Sequence, residues 1–327
     1  MEAMLLQLTP IYERIFLDCS YAYRPKKSAL KAADRVERNI KKGREWVVDA
    51  DIENFFDNVN RSLLMEMLAK EISEKQVLSL IERCIQADNM DSDIGVPQGA
   101  AISPLLANIY LHPFDDHLSR GDWNYVRFSD NIVILCHTEQ QAQEAFDKAK
   151  VFLEDQLKLK FNPDKTHILH ASKGFLFLGY KFTLAGRTPG EPSLKKMKSK
   201  IQTTLQQAGD DPIRGLKRKL DDIIRGWVNY FQISQTNRQQ LFDQLQKEDI
   251  PDAEPASRAI FLAALALHLG KKEAAESFLT KCDALELNDA EILYQQGILF
   301  EMLDRPADAL DAYLAAFRIN NDHAETA

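Results

Sequence analysis

The chain has 327 residues, 45% of them hydrophobic and 28% charged. That length suits two or three domains of roughly 100–200 residues, and the apolar share excludes a disordered or collagen-like chain. No run reaches the roughly 20 apolar residues that cross a bilayer, and no charged and then apolar leader opens the chain, so no membrane partner is expected. The four cysteines, Cys19, Cys84, Cys136 and Cys282, are far apart and form no CxxC pair. They read as free thiols of a reducing compartment, which predicts a cytoplasmic protein.

The net charge of −8 is unevenly spread. Residues 251–327 hold 14 acidic against 6 basic residues, and the rest of the chain balances at 35 of each. Within the balanced part, Arg24 to Arg44 carries nine basic residues against Asp34 and Glu37, and Lys195 to Arg225 carries nine against four acids. Two basic clusters on a neutral body suit polyanion binding on a defined surface; a solvated helix face explains either one alone equally well.

In chain order, Ile11 to Ile40 reads as mainly helical, broken at Arg24-Pro25, with Ser28 able to cap its second part and Gly43 ending it. Trp46 to Ile52 is a buried-strand pattern ending in carboxylates. Arg61 to Gln86 reads as one amphipathic helix. Gly95 to Gly99 is a loop, and Ser103-Pro104 opens a helix. Tyr125–Phe128 and Ile132–Cys136 read as a hairpin around Ser129-Asp130-Asn131. A helix over Glu139–Leu157 follows, then short strands at Lys160-Phe161 and Ile168-Leu169 and a strand pair over Phe175–Phe182. This order predicts an α+β fold: an antiparallel sheet covered by helices.

Gly186 to Pro192 looks like a linker, after which the pattern is helical to the end, with a second boundary at Pro251–Pro255. Beyond it, Leu269–Ala275 and Leu303–Ala309 recur at an offset of 34 residues. In that frame Gly297, Phe300, Ala309, Tyr313 and Ala316 occupy the small and aromatic positions of a tetratricopeptide (TPR) repeat. Two helix hairpins are expected there, their small residues allowing close packing.

The chemistry gathers where apolar strands end in acids. Asp51 ends one strand, Asp130 sits at a hairpin tip, and Asp49 points the same way as Asp51 by strand alternation. Rigidly placed carboxylates of this kind suit a two-metal phosphoryl-transfer site, although an aspartate at a strand end is commonly just a cap.

The ordered set Trp46–Asp57, Gly95–Gly99 with Ser103–Leu106, Arg127–Asn131, Asn162–Thr166 and Phe177–Tyr180 resembles the successive motifs of group II intron-type reverse transcriptases. Upstream, Ser20–Pro25 resembles their fingers motif. Downstream, Ile224–Phe231 resembles their maturase-type thumb. The resemblance covers roughly residues 8–235. It implies a right-hand polymerase palm with partial fingers over 1–188, an all-α thumb over 189–248 and the TPR-like helical segment over 249–327. The implied activity is RNA-directed DNA polymerisation, with an RNA template, a DNA primer and dNTPs as partners. The implied cofactor is a pair of Mg²⁺ ions, for which Mn²⁺ can substitute.

The resemblance also implies roles. Asp51, Asp130 and Asn131, with the Ile52 carbonyl, would hold the metal ions, and Lys165 would protonate the leaving pyrophosphate. Arg24 would contact the triphosphate, Phe56 would exclude a ribose 2′-hydroxyl, and Gln98 and Gly99 would frame the nucleotide. Leu178, Gly179 and Tyr180 would grip the primer. Lys195, Lys196, Lys198, Arg214, Lys217, Arg218 and Arg225 would follow the nucleic-acid backbone.

Two departures stand out. The hairpin reads Phe-Ser-Asp-Asn where the family has Tyr-Ala-Asp-Asp, so Asn131 keeps an oxygen but loses a charge. The family's more N-terminal fingers blocks do not precede Ser20, which implies either a separate fingers polypeptide or a reduced copy. A catalytically inactive RNA-binding scaffold that recruits a protein through its TPR-like tail is the alternative function.

Overall fold

The structure is a computed structural model that describes residues 2–86, 92–206, 213–231, 255–268, 270–283 and 289–325. It divides into two units, Met1–Gly190 and Glu191–Ala327.

Unit one opens with α1 (Glu2–Tyr12). The helix expected through residue 23 is absent. Residues 13–28 are irregular because their backbone groups find partners elsewhere. The Arg24 guanidinium donates to the carbonyls of Phe16, Leu17 and Ser20 at 3.3, 2.5 and 3.0 Å. Tyr21 N donates to Arg127 O, and Arg127 N to Cys19 O, at 2.9 and 2.8 Å. Helix α2 (Ala29–Ile40) then starts at Ser28, whose extended backbone lets its hydroxyl accept from Lys31 N at 3.2 Å.

Strand β1 (Trp46–Asp51) leads into a short helix, α3 (Phe55–Asn58). The single helix expected over 61–86 is two, α4 (Arg61–Ala69) and α5 (Lys75–Gln86). The apolar series explains the break. Leu64, Leu68 and Ile72 keep helical spacing, but the next apolar residue, Val77, comes five positions later and out of phase. Ile72 is buried in the turn, and Glu74 O accepts from Val77 and Leu78 to restart the helix.

Next come α6 (Ser103–Ser119), β2 (Asn124–Phe128), β3 (Asn131–Cys136), α7 (Glu139–Leu157) and β4 (His167–His170). The four strands form one antiparallel sheet in the order β2-β3-β1-β4, so the α+β expectation holds for this unit. In place of the short strand expected at Lys160-Phe161, only an isolated bridge from Phe161 to Ile52 forms. One sheet face, with Val48, Ala50, Ile132 and Ile134, packs on Leu106, Tyr110 and Phe114 of α6 and on Ala145 and Ala149 of α7. The alternate residues Val47, Val126, Val133 and Leu135 are also fully buried, and α2 packs against β2 and β3.

A second sheet, β5 (Phe175–Phe177), β6 (Tyr180–Thr183) and β7 (Gly186–Pro189), is a three-stranded antiparallel meander. Strand β7 replaces the linker expected at Gly186–Pro192. Gly186, at φ +129°, takes a conformation that side chains resist, and this lets the chain turn back so that Lys181 pairs with Thr188. Arg187 then anchors the strand by ion pairs to Asp34 at 2.6 Å and Glu37 at 3.5 Å.

Unit two is helical: α8 (Glu191–Gln206), α9 (Ile213–Phe231), α10 (Pro255–His268), α11 (Lys272–Asp283), α12 (Ala290–Met302) and α13 (Pro306–Glu325). The last four form two hairpins, α10 with α11 and α12 with α13. Gly297 is a contact point of the second: a Cβ there would sit 2.4 Å from the Tyr313 ring. Helices α10 and α12 pack on α8 and α9, so the expected thumb and tail share one unit. The boundary expected at 248–249 and most of the proline-flanked stretch 251–255 lie outside the described residues. Among the described residues, no helix is long and apolar enough to cross a membrane.

Candidate active site

Strand pairing brings the acids together. Asp51 ends β1 directly opposite Asn131, and Ile52 N donates to Asp130 O at 3.3 Å. Opposed residues of an antiparallel pair point to the same face, so Asp51, Asn131 and, two residues back, Asp49 share one side of the sheet. Between β2 and β3 only Ser129 and Asp130 intervene, with Ser129 at φ +59°. This tight turn presents Asp130 beside the end of β1.

The electrostatics show the crowding. Burial, then the neighbouring Asp130, raises the Asp51 carboxyl above its usual range, and Lys165 partly opposes them. Burial and the charge of Asp51 push Asp49 up to about 7. The Lys165 ammonium lies 3.3 Å from Asp51 Oδ1. Its loop is fixed by Asn162 N donating to Asp51 O at 2.8 Å. Asn131 Nδ2 donates to Asp130 Oδ1 at 3.2 Å, so the amide supports that carboxylate where a second aspartate would repel it.

The nucleotide-side residues sit on a loop bound to α3. Val96 N donates to Phe56 O and Gly95 N to Val59 O, both at 2.8 Å. Gly95 has φ +90°, and a Cβ on it would meet Asp57 O at 3.3 Å. Gln98, exposed, donates from Nε2 to Asp57 Oδ1 at 3.1 Å, and Gly99, at φ +84°, faces open space. Phe56 is half-buried, edge-on to Phe55 at 5.2 Å, and rests on the core.

Two residues stand elsewhere than expected. Arg24 is buried, and besides its three carbonyls it pairs with Glu13 through Nε and Nη2 at 2.9 and 3.1 Å. Its guanidinium is engaged within the loop, where the resemblance implies a contact with triphosphate. The Tyr180 ring is also buried, with Arg187 5.0 Å above it, so only the turn at Leu178 and Gly179 reaches the surface. Lys195, Lys196 and Arg225 are exposed on α8 and α9 of the other unit. The side chains of Lys198, Arg214, Lys217 and Arg218 lie outside the described residues.

One assembly was not anticipated. Arg127 is fully buried beneath the hairpin and makes five bonds. They run to Asp115 Oδ1 and Oδ2, both at 2.6 Å, to Ser20 Oγ at 2.8 Å, to Ser129 O at 3.0 Å and to Asn108 Oδ1 at 3.1 Å. The Tyr125 hydroxyl adds a bond to Asp115 at 2.9 Å. The network ties the turn that bears Asp130 to α6 and to the segment before α2. A sequence signal existed: Asp115 lies between Leu111 and Leu118 on the apolar face of α6, where an acid needs a partner.

Among the described residues, no three His, Cys, Asp or Glu side chains gather as a ready-made ion cage. Asp51 and Asp130 nevertheless offer hard oxygen donors whose mutual repulsion a cation would relieve, and this suits Mg²⁺ completed by water or phosphate oxygens.

The family model described as reverse transcriptase (RNA-dependent DNA polymerase) matches residues 1–182, and the group II intron maturase-specific domain matches residues 194–247. The chain therefore belongs to the reverse transcriptases of the group II intron type and carries their maturase-specific domain. It is 32% identical to protein YkfC of Escherichia coli, over 55% of this chain and 58% of that one. It is 25% identical to the group II intron-encoded protein LtrA of Lactococcus lactis, over 55% of this chain and 41% of that one. The chain thus spans about half the length of these relatives. The apo telomerase structure from Candida tropicalis aligns with 93% of this chain and 60% of its own at a TM-score of 0.49 and 12% identity.

Proposed function

We propose that the chain is an RNA-directed DNA polymerase that adds dNTPs to a primer 3′ end, with Asp51 and Asp130 as its catalytic carboxylates. The observation that carries this reading is the register of β1 and β3, which sets Asp51 opposite Asn131 and beside Asp130. Bound Mg²⁺ would activate the attacking hydroxyl and neutralise charge on the leaving group, as it generally does in this family. Asp51, Asp130, the Asn131 amide and the Ile52 carbonyl are the groups to hold it. Lys165 gives a proton to departing pyrophosphate, Phe56 bars a 2′-hydroxyl, and Gln98 and Gly99 border the nucleotide. The turn at Leu178-Gly179 contacts the primer, and the basic residues of α8 and α9 follow the template–primer backbone. The two C-terminal hairpins are TPR-like repeats that receive a protein partner.

One observation favours a second reading. With Asn131 the hairpin keeps the Asp130 carboxylate but has an amide in the second position, as suits a non-catalytic RNA scaffold. The test is extension of a DNA primer on an RNA template with Mg²⁺ and, separately, Mn²⁺. Polymerase function predicts extension by the wild type, none by Asp51→Ala, and equal RNA binding by both. Absence of extension by the wild type with either metal, with RNA binding intact, supports the scaffold.

A further inference from the structure

The basic cluster at Arg24–Arg44 has no task in the catalytic site. Eight of its nine charges, all but buried Arg24, lie on α2 or its flanks, and they do not spread evenly. Arg35, Arg38 and Lys42 recur at the three- and four-residue spacing that aligns side chains along one helical face. With Lys27 and Arg44 they line an open cavity of about 390 Å³ whose floor includes Asn39 and Asn124.

The acids that could neutralise this cavity are engaged elsewhere. Asp34 and Glu37 turn to Arg187 on β7, and Glu37 also holds Lys41 at 2.7 Å. The single acid in the lining, Asp18, is taken by Lys27 at 2.8 Å. The positive charges are held in place by neutral groups: Arg35 Nε donates to Asn124 Oδ1 at 3.1 Å, and its Nη1 to Asp18 O at 3.2 Å. Arg38 Nε donates to Asp34 O at 3.2 Å.

Arg44 lines the same cavity. Its Nη1 makes a long 3.4 Å bond to Asn39 Oδ1, but its Nε is buried and has no hydrogen-bond partner in the structure. A buried guanidinium N–H without an acceptor is costly to leave so and rare. A tetrahedral anion with several acceptor oxygens in the cavity would meet Arg35, Arg38, Lys42 and Arg44 around it, Lys27 being paired with Asp18. Guanidinium groups suit phosphate oxygens in this way.

The cavity is not the polymerase cleft. Asn124 pairs with Leu135, and Trp46, two residues after Arg44, pairs with Cys136, whereas Asp51 pairs with Asn131 at the far end of the same strands. Five residues of strand separate the two places, or roughly 16 Å.

We infer that the cavity between α2 and the start of β2, lined by Lys27, Arg35, Arg38, Lys42 and Arg44, is a phosphate-binding site that holds the RNA backbone at a point remote from the catalytic carboxylates. RNA as the source of the phosphate rests on the polymerase reading. The cavity holds a strand that has left the cleft, or a folded part of the same RNA, by its phosphates and without base contacts. Its contribution is therefore independent of sequence and sensitive to salt.

The test measures binding of the full chain to a single-stranded oligoribonucleotide by fluorescence anisotropy across a series of salt concentrations. Arg38→Ala with Lys42→Ala changes two exposed side chains and should lower the slope of log affinity against log salt by roughly 1–2, since each phosphate contact contributes about 0.7–0.9. The control pair Lys148→Ala with Lys150→Ala, exposed on α7, should leave the slope as it was. An unchanged slope in the first pair, or an equal loss in the control pair, overturns the site. So does competition by a poly-glutamate peptide that the Arg38/Lys42 pair abolishes while RNA binding stays intact, because the site would then serve an acidic protein. Asp51→Ala keeps the full slope, so failure of catalysis and failure of this site are read separately.

Discussion

Replacing Arg127 by methionine removes a guanidinium that is wholly buried and fully bonded, and leaves Asp115 behind with no exposure of its own. The aspartate keeps only the Tyr125 hydroxyl at 2.9 Å as a partner among the contacts described above. Breaking a buried pair from one side typically costs about 3–5 kcal/mol, because the surviving charge is uncompensated. With a urea dependence of about 2–3 kcal/mol/M, the midpoint should fall by roughly 1–2 M. The double variant Arg127→Met with Asp115→Leu removes both charges and should recover most of that loss. Urea unfolding followed by tryptophan fluorescence reads both changes, and Trp123, next to the network, donates to Leu118 O at 2.8 Å. A single variant that shifts the midpoint by under about 0.3 M, or a double variant no better than the single, would refute the claim that charge compensation holds this hairpin.

Gly95→Ala should destabilise the protein by more than about 1 kcal/mol, because it forces a side chain into φ +90° and against Asp57 O at 3.3 Å; chemical denaturation checks it, and a neutral result contradicts it. Gly297→Ala should lower the melting temperature of the C-terminal unit despite alanine's better helix propensity, because the new methyl meets the Tyr313 ring at 2.4 Å; a rise in melting temperature contradicts it. His112 is half-buried beside Phe16, and burial lowers its pKa below 6.5, so it contributes stability that is present above that pH and lost as pH falls through the folded value. His112→Phe should therefore lose less stability than the wild type between neutral pH and about pH 5, and equal losses in urea titrations at the two pH values would be the contrary result.

Local chemistry made much of unit one legible. The alternation from Trp46 to Asp51 and the apolar runs either side of Ser129-Asp130 predicted the strands that carry the acids, and pairing then fixed their register. The segment before α2 was not legible. Its apolar spacing suits a helix, and only the burial of Arg24 against three carbonyls shows why it does not form one. The same bonds engage the Arg24 guanidinium, to which the resemblance assigns a contact with triphosphate. Gly186 looked like part of a linker because a glycine with positive φ cannot be distinguished from a flexible one until the strand it returns is seen. Arg127 was visible in the hairpin motif, but its partners Ser20, Asn108 and Asp115 are distant in sequence, and only packing brings them to one side chain.

The proposed site joins Asp51 of β1 to Asp130 of a hairpin whose second position is an amide. The most direct measurement is the rate of single-nucleotide primer extension as a function of Mg²⁺ concentration, for the wild type and for Asn131→Asp. Adding a carboxylate opposite Asp51 strengthens cation binding at a place already shaped for it, so Asn131→Asp should extend faster and saturate at lower Mg²⁺. An unchanged or slower rate in Asn131→Asp, with the protein folded and RNA still bound, would contradict the assignment of these residues as the metal-holding catalytic pair.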